Sequence, residues 1–408
     1  MNRVRVAATV LLLTLLLGTA PPTPPARATT PTLTATSATE RIAPGIDFRT
    51  FILAAAHGPI RIHLLTAHLR HPGVRAGLLY PGAVADRAAV SVMAERQGAA
   101  AAVNGDFFHI TEDQHPGVPA TGAPSGAAVL DGLPLKAAVP EGQRFGGALP
   151  PGGSPEDVIG VGMDGRARTG RLTLHGRLRT PHATLPVRGL NQYALPEGAI
   201  GLFTSQWGSA SRARAVCGTD HDRAAPCTHD VFELTIRHGR VQHAGSTPGD
   251  GPIPPGSVVV LGREGGAEAL RSLVPGTRVD VRYRLASTSP VPFAFALGAY
   301  RVLADHRPLP GLDSSTAAPR TAVGIADHGR LLRLIATDGR ESAGTGLTLA
   351  ELAGLLRSLG CEEGVHVDGG ASTTLVTRDP ATRHAVVRNA LDQGRQRRVP
   401  NGIALFGP

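Results

Sequence analysis

GCEEGVHVDGGASTTLV, Gly360 to Val376, is the stretch from which the fold can be worked outward. Gly360 stands where a helix needs a left-handed residue to finish. Val365-His366-Val367 is a β-branched run long enough for one buried strand. Asp368 marks the strand's end, and Gly369, Gly370, Ala371, Ser372, Thr373 and Thr374 follow with little bulk. A carboxylate at a strand end, beside backbone that only glycine permits, lets a ligand approach closely. The same residues also suit a tight turn in which the aspartate bonds its own backbone. The segments upstream decide between the two.

Immediately before it, Thr348 to Leu359 reads as a helix. Thr348 and Glu351 form a capping box, and Leu349, Leu352, Leu356 and Leu359 make the apolar stripe. Glu351 is therefore structural. Further back, Arg320 to Ile325 and Leu331 to Thr337 are two strands joined by the turn Asp327-His328-Gly329, and the second ends in Asp338-Gly339. Pro400 to Phe406 closes the chain as a strand expected to join the same sheet. Far upstream, the small strand Ala99 to Val103 runs into Asn104-Gly105-Asp106-Phe107-Phe108. Alternation sends Phe107 and Phe108 to opposite faces and leaves Asn104 and Asp106 sharing one.

The chain has 408 residues, with 51 glycines and 34 prolines, so turns are plentiful. Lys136 is its only lysine, and the net charge of +9 comes from scattered arginines. No run resembles a nucleic-acid arm and no aromatic ladder accompanies the charge, which argues against nucleic acid as a partner. A diffuse positive field favours an anionic glycan or sugar-phosphate. Residues 1–28 read as a signal peptide: a basic start, an apolar run too short to span a membrane comfortably, and an Ala26-Arg27-Ala28 cleavage site. The expected product is secreted, cell-wall associated at most, with no stable membrane insertion. Residues 29–45 read as a disordered Pro/Thr-rich linker. In an oxidising compartment Cys217 and Cys227 are expected to form a local disulfide, and Cys361 to be a buried small hydrophobe.

The fold class this implies is α+β: a mixed, strand-rich sheet core with a few packed helices. It occupies residues 46–408 and carries a strand-rich inserted region or subdomain at about 185–290. Trp207, in that region, suits either a sugar platform or a core. His63 lies on the polar face of a strand and is assigned no role.

The ordered set NGDFF, RTAVG, DG, the helix TLAELAGLLRSLGC, VDGGASTTLV and the terminal NGIALF resembles the phosphodiester glycosidase family. The resemblance is densest at 98–132 and 293–406. The family's turn usually has a third glycine where Ala371 stands, and an asparagine where His366 stands. The resemblance implies hydrolysis of a sugar joined through its anomeric carbon to a phosphodiester. Breaking that bond builds oxocarbenium character, which a carboxylate stabilises or traps. The phosphate leaving group needs its charge held more than it needs a proton, and arginine's fork does this well. Asp368, Asp106 and Asp338 are therefore the catalytic candidates. Arg320 is assigned to the phosphate and Asn104 to sugar or phosphate oxygens. His366, Ser372, Thr373 and the backbone amides of Gly369 and Gly370 complete the expected substrate-binding set. No metal ligand is assigned and no cofactor is required, although a structural calcium ion is compatible with this chemistry. Two rivals remain: a non-catalytic polysaccharide-binding module, and a metal-dependent phosphodiesterase that uses Asp106, His109, Asp338, His366 and Asp368 to cleave P–O.

Overall fold

A computed structural model describes residues 32–339 and 345–408 of the chain. The expected signal peptide lies outside the described residues. The fold is α+β, built mainly of antiparallel sheets.

Two sheets pack face to face and carry the Gly360 stretch. The larger runs in the order Ile46–Ala55, Gly58–His68, Leu331–Thr337, Thr321–Ala326, Glu363–Val367, Tyr300–Ala304. The smaller contains Leu375–Arg378, Ala101–Asn104, Gly402–Phe406 and Arg75–Leu79. Alternation decides what each face meets. Val323, Ile325, Val365 and Val367 of the larger sheet pack with Val103, Leu375, Ile403 and Leu405 of the smaller. The opposite parity, Ala322, Ile335 and Val302, packs under the helix Leu349–Ser358 through Leu352, Leu355 and Leu356. Ala102, Val376 and Ala404 face the helix Val90–Gln97 through Met93 and Ala94. The order is helix, sheet, sheet, helix, with the main core between the sheets.

The expected capping box of Thr348 and Glu351 is present, and Gly360 takes a φ of 75° just past that helix. Cys361 is buried and free, and Cys217 is bonded to Cys227.

Three expectations about the frame are corrected. The terminal strand Gly402–Phe406 pairs with Arg75–Leu79 and Ala101–Asn104, not with the sheet of Asp368. Period-two alternation identifies a strand but not its partner sheet. The segment read as a disordered linker contributes strands Thr32–Thr36 and Glu40–Ala43, both paired with Ile46–Ala55. Strand pairing is made by backbone groups, so a Thr-rich stretch of low complexity still adds an edge. His63 is 3% exposed and bonded to Asp338, because a partnered imidazole can be buried where a bare one cannot.

The region around 185–290 forms its own five-stranded sheet, centred on Ser257–Arg263, Val231–Arg237 and Ile200–Phe203, over a core of Leu202, Leu234, Val260 and Leu270. Trp207 is 1% exposed and its indole N–H donates to Ala210 O at 2.8 Å, so it is a core residue and not a sugar platform. A further sheet, including Asp157–Gly162, Ala167–Arg179 and Phe293–Gly298, pairs Ala167–Arg179 with Asp280–Ser287.

Candidate active site

The two facing sheets end their strands at the same edge. Ala101–Asn104 stops at Asn104 and Glu363–Val367 stops before Asp368. Asn104 spans the gap: its side-chain amide donates to Asp368 O at 2.7 Å, and Asp368 N donates to Gly105 O at 2.8 Å. The other end of the Asn104 side chain accepts from Thr321 Oγ1 at 2.7 Å and from Thr374 N at 3.0 Å. Asn104 was expected to face the substrate, but it is fully buried and positions the Asp368 turn instead.

Asp106 sits two residues beyond. Its Oδ2 accepts from Gly126 N at 2.6 Å, and its backbone N–H donates to Asn401 Oδ1 at 2.9 Å. Gly126 and Gly298 close around this carboxylate. A β-carbon on Gly298 would lie 2.6 Å from Asp106 Oδ2, and one on Gly126 would lie 2.8 Å from it. Arg144 approaches the other oxygen, Nη2 to Oδ1 at 4.0 Å. Phe107 stacks on Tyr300 with centroids 4.6 Å apart and meets His366 edge-on at 5.5 Å. Tyr300 and His366 are register partners on adjacent strands. Phe108 joins the core on the far side of the small sheet, as alternation predicts.

The electrostatics follow from this enclosure. Burial pushes the Asp368 carboxyl up to about 7, and the neighbouring Asp106 charge adds to it, while the Ser372 hydroxyl and Arg397 oppose. Asp368 nevertheless keeps part of its surface open. Asp106, 1% exposed, is raised mainly by burial, against the pull of Arg144 and Lys136. Burial and the Arg320 charge hold His366 well below the ordinary histidine range. Lys136, the only lysine, is buried outright and pushed down to about 7 by desolvation, with Asp106 opposing and Arg144 assisting.

The remaining expected residues are distributed as follows. Thr321 pairs with Val367, so Arg320 and Asp368 leave neighbouring strands side by side at this edge. The Arg320 guanidinium donates to Leu347 O and Thr316 O, both at 2.8 Å. Asp338 bonds His63 Nε2 and Ala390 N and pairs with Arg61. Burial pushes its carboxyl up, but His63, the Ala390 amide and Arg61 outweigh this and hold it below the usual range. Gly370 N donates to Pro319 O, and the amides of Ser372 and Thr373 donate back into the turn. Of the two amides expected to form an anion nest, that of Gly370 is thus taken by Pro319 O, and that of Gly369 serves the Asp368 carboxylate. Ser372 accepts from Arg397 Nη1 at 3.3 Å. The five side chains of a metal phosphodiesterase do not assemble: His109 is tied to Thr121 and Glu112, and Asp338 to His63. Among the described residues the one potential ligand group is His115 with Cys217 and Cys227, and those sulfurs are disulfide-bonded.

Arg144, Tyr300, Lys136 and Arg397 were not singled out from sequence. Arg144, Tyr300 and Lys136 are single residues in a loop or strand with no motif around them, and Arg397 lies in the short basic run Arg395-Gln396-Arg397-Arg398; only the uniqueness of Lys136 gave a signal.

A family model described as phosphodiester glycosidase matches residues 231–406. That span takes in Arg320, His366 and Asp368 and reaches back into the middle region, but leaves Asn104 and Asp106 outside. A hypothetical protein from Synechocystis shares the fold with a TM-score of 0.67 and 22% identity over 89% of this chain, which spans 62% of that protein. A Burkholderia pseudomallei protein named as exported gives a TM-score of 0.70 at 19% identity, covering 91% of this chain and 96% of its own. The catalytic domain of zebrafish N-acetylglucosamine-1-phosphodiester alpha-N-acetylglucosaminidase, auto-inhibited by its pro-peptide, aligns at 14% identity with a TM-score of 0.42, over 93% of this chain and 89% of that one. No curated protein matches this chain in sequence. The family match supports a glycosidase-type hydrolase.

Proposed function

We propose that this relative of the phosphodiester glycosidases is an exported hydrolase that releases a sugar from a sugar-1-phosphodiester by breaking the C1–O bond. One observation carries the reading. Asp106 Oδ1, Arg144 Nε and both ring nitrogens of His366 are buried without a hydrogen-bond partner, and Thr373 Oγ1 and Thr374 Oγ1 join them. Buried polar groups are ordinarily satisfied, and a concentration of unsatisfied ones around two carboxylates marks a place built to receive hydroxyls. A polysaccharide-binding module gives no reason to hold a buried carboxylate, Asp106, beside the partly open one of Asp368 against their mutual repulsion.

In this reading the sugar meets the site at the partly open Asp368 turn, with the Phe107–Tyr300 stack buried behind it. The unpartnered polar atoms of Asp106, Arg144 and His366 stand on the side its hydroxyls face. Asp368 supplies negative charge to the anomeric carbon as oxocarbenium character develops. Its partial exposure suits a group that must reach substrate. The leaving phosphate lies toward Ser372 and Arg397. Arg397 takes the role that sequence reasoning gave to Arg320, whose fork is directed to Leu347 and Thr316. Asp338 anchors the edge through His63. Asp368 acts either as nucleophile or through a water it activates, and the anomeric configuration of the first product distinguishes the two. The disulfide and the name of the Burkholderia relative support export.

The test is a panel of sugar-1-phosphodiesters hydrolysed in oxygen-18 water. Label in the released sugar supports the proposal. Label in the phosphate overturns it and restores P–O cleavage. Activity lost on chelation together with a lowered melting temperature would point to a structural ion, and activity lost with the fold intact would count against the proposal.

A further inference from the structure

The turn carrying Asp368 forms one end of a cleft of about 600 Å³. From Ala371 outward, its walls hold Arg87, Arg395, Arg397 and Arg398, opposed only by Asp86 and Asp392. A second hollow of about 390 Å³ shares Asp86, Arg87 and Arg398 with the first and carries the surface on to Arg96. The two form one trough with five guanidinium groups along it.

Several arginines elsewhere in the protein are neutralised by a carboxylate. Arg212 pairs with Glu233, Arg388 with Glu40 and Arg168 with Asp164. Among the described residues, none of the five trough arginines forms an ion pair with a carboxylate. Arg397 bonds the Ser372 hydroxyl, and Arg398 donates to Arg87 O at 3.0 and 2.7 Å. Burial and the nearby Arg398 charge together hold the Arg87 guanidinium below its ordinary range. Like charges crowded in a concave wall repel, and a bound anion relieves the repulsion. Planar guanidinium forks match phosphate oxygens two at a time.

We infer that the trough is an extended leaving-group subsite, and that the substrate is a sugar-capped chain of repeated phosphodiesters. This inference rests on the glycosidase reading for its direction. The scissile phosphate lies at Arg397, where the trough meets the turn of Asp368 at Ala371. The next phosphates along the leaving group pass Arg395, Arg87 and Arg398 and reach Arg96. A chain with one negative charge per repeat meets an arginine at successive steps, whereas a simple ester leaves most of the trough without an anion.

The probe is fluorescent oligo(glycerol phosphate) of one to four units, titrated into the full chain carrying Asp368→Asn, so that binding is read without turnover. Affinity is expected to rise about tenfold from one unit to four, the equivalent of one charge-assisted pair, and to fall with added salt. In the Arg96→Gln/Arg395→Gln background that rise should shrink to within about twofold. Both arginines are exposed and bonded to nothing described, so the double variant is expected to fold, and its melting temperature checks this. Affinity independent of length overturns the inference, as does oligoglutamate of equal charge binding equally well. Cleavage of short sugar-1-phosphodiesters without any length effect would sink the trough assignment alone. A length effect in binding with no C1–O cleavage would sink the glycosidase reading and leave a polyphosphodiester-binding groove.

Discussion

The side-chain amide of Asn104 donates a 2.7 Å hydrogen bond to the backbone carbonyl of Asp368, a residue 264 positions away on the opposing sheet. Two sheets are thereby locked at the edge where the carboxylates lie. Replacing Asn104 by alanine leaves Thr321 Oγ1, Thr374 N and Asp368 O without their partner. About 2–4 kcal/mol of stability should be lost, since stranded buried groups cost more than the bonds themselves. Because the residue positions the turn and does not touch substrate, kcat should fall far more than KM rises. Denaturant unfolding together with steady-state kinetics checks both. A rise in KM at unchanged kcat would return Asn104 to the substrate.

The Asp368 carboxyl, raised to about 7, links pH to both activity and stability. The working form is the ionised one, so kcat/KM should climb through pH 7 and then level off, and Asp368→Asn should abolish the climb with the activity. The stability sign is opposite. Between the unfolded carboxyl's pKa of about 4 and the folded value, the unfolded chain has released its proton and the native one has not, so native stability falls as pH rises. Asp368→Asn should therefore raise the melting temperature at pH 8 and leave it nearly unchanged at pH 4. A uniform shift at both pH values would contradict the assignment.

Gly298→Ala should be severe for so small a change. The added carbon meets Asp106 Oδ2 and Gly126 Cα, each at 2.6 Å. One contact is backbone and the other a carboxylate pinned by an amide, so neither yields easily. Turnover should fall by a factor of about a hundred, the scale expected when a substrate-positioning group is displaced by an ångström. A crystal structure of the variant should show Asp106 displaced.

Breaking the Cys217–Cys227 bond should reach the site indirectly. The bond closes a loop of 10 residues, worth about 2.5 kcal/mol in the chain-entropy account. Within the loop, Arg223 donates to Arg144 O at 2.9 Å and lies over the Phe145 ring. The Cys217→Ala/Cys227→Ala protein should lose stability of that order. It should also show a raised KM, because the backbone under Arg144 is loosened. An unaltered KM would separate the loop from the site.

Local pattern already held much of the architecture. The helix Leu349–Ser358, its capping box, the Gly360 stop and the hairpin turn at Asp327–Gly329 are contacts within a few residues, so they can be read directly from spacing. The motifs around Asp106 and Asp368 were legible for the same reason: a carboxylate at a strand end beside glycine is a local feature.

What the chain could not disclose is which face meets which. Alternation labels two faces of each strand but does not say what covers them. The terminal strand thus joined the sheet of Asn104, Trp207 went to the core, and His63 was buried against Asp338. Arg144 and Arg397, from separate loops, and Tyr300, from the strand beside His366, meet the two carboxylates only because the fold brings them to one edge, and Arg320 turns its fork toward Leu347 and Thr316. Local sequence determined the strands, turns and cap. The tertiary structure alone decided the company of Asp106 and Asp368, because desolvation and charge coupling depend on distance in space, not along the chain.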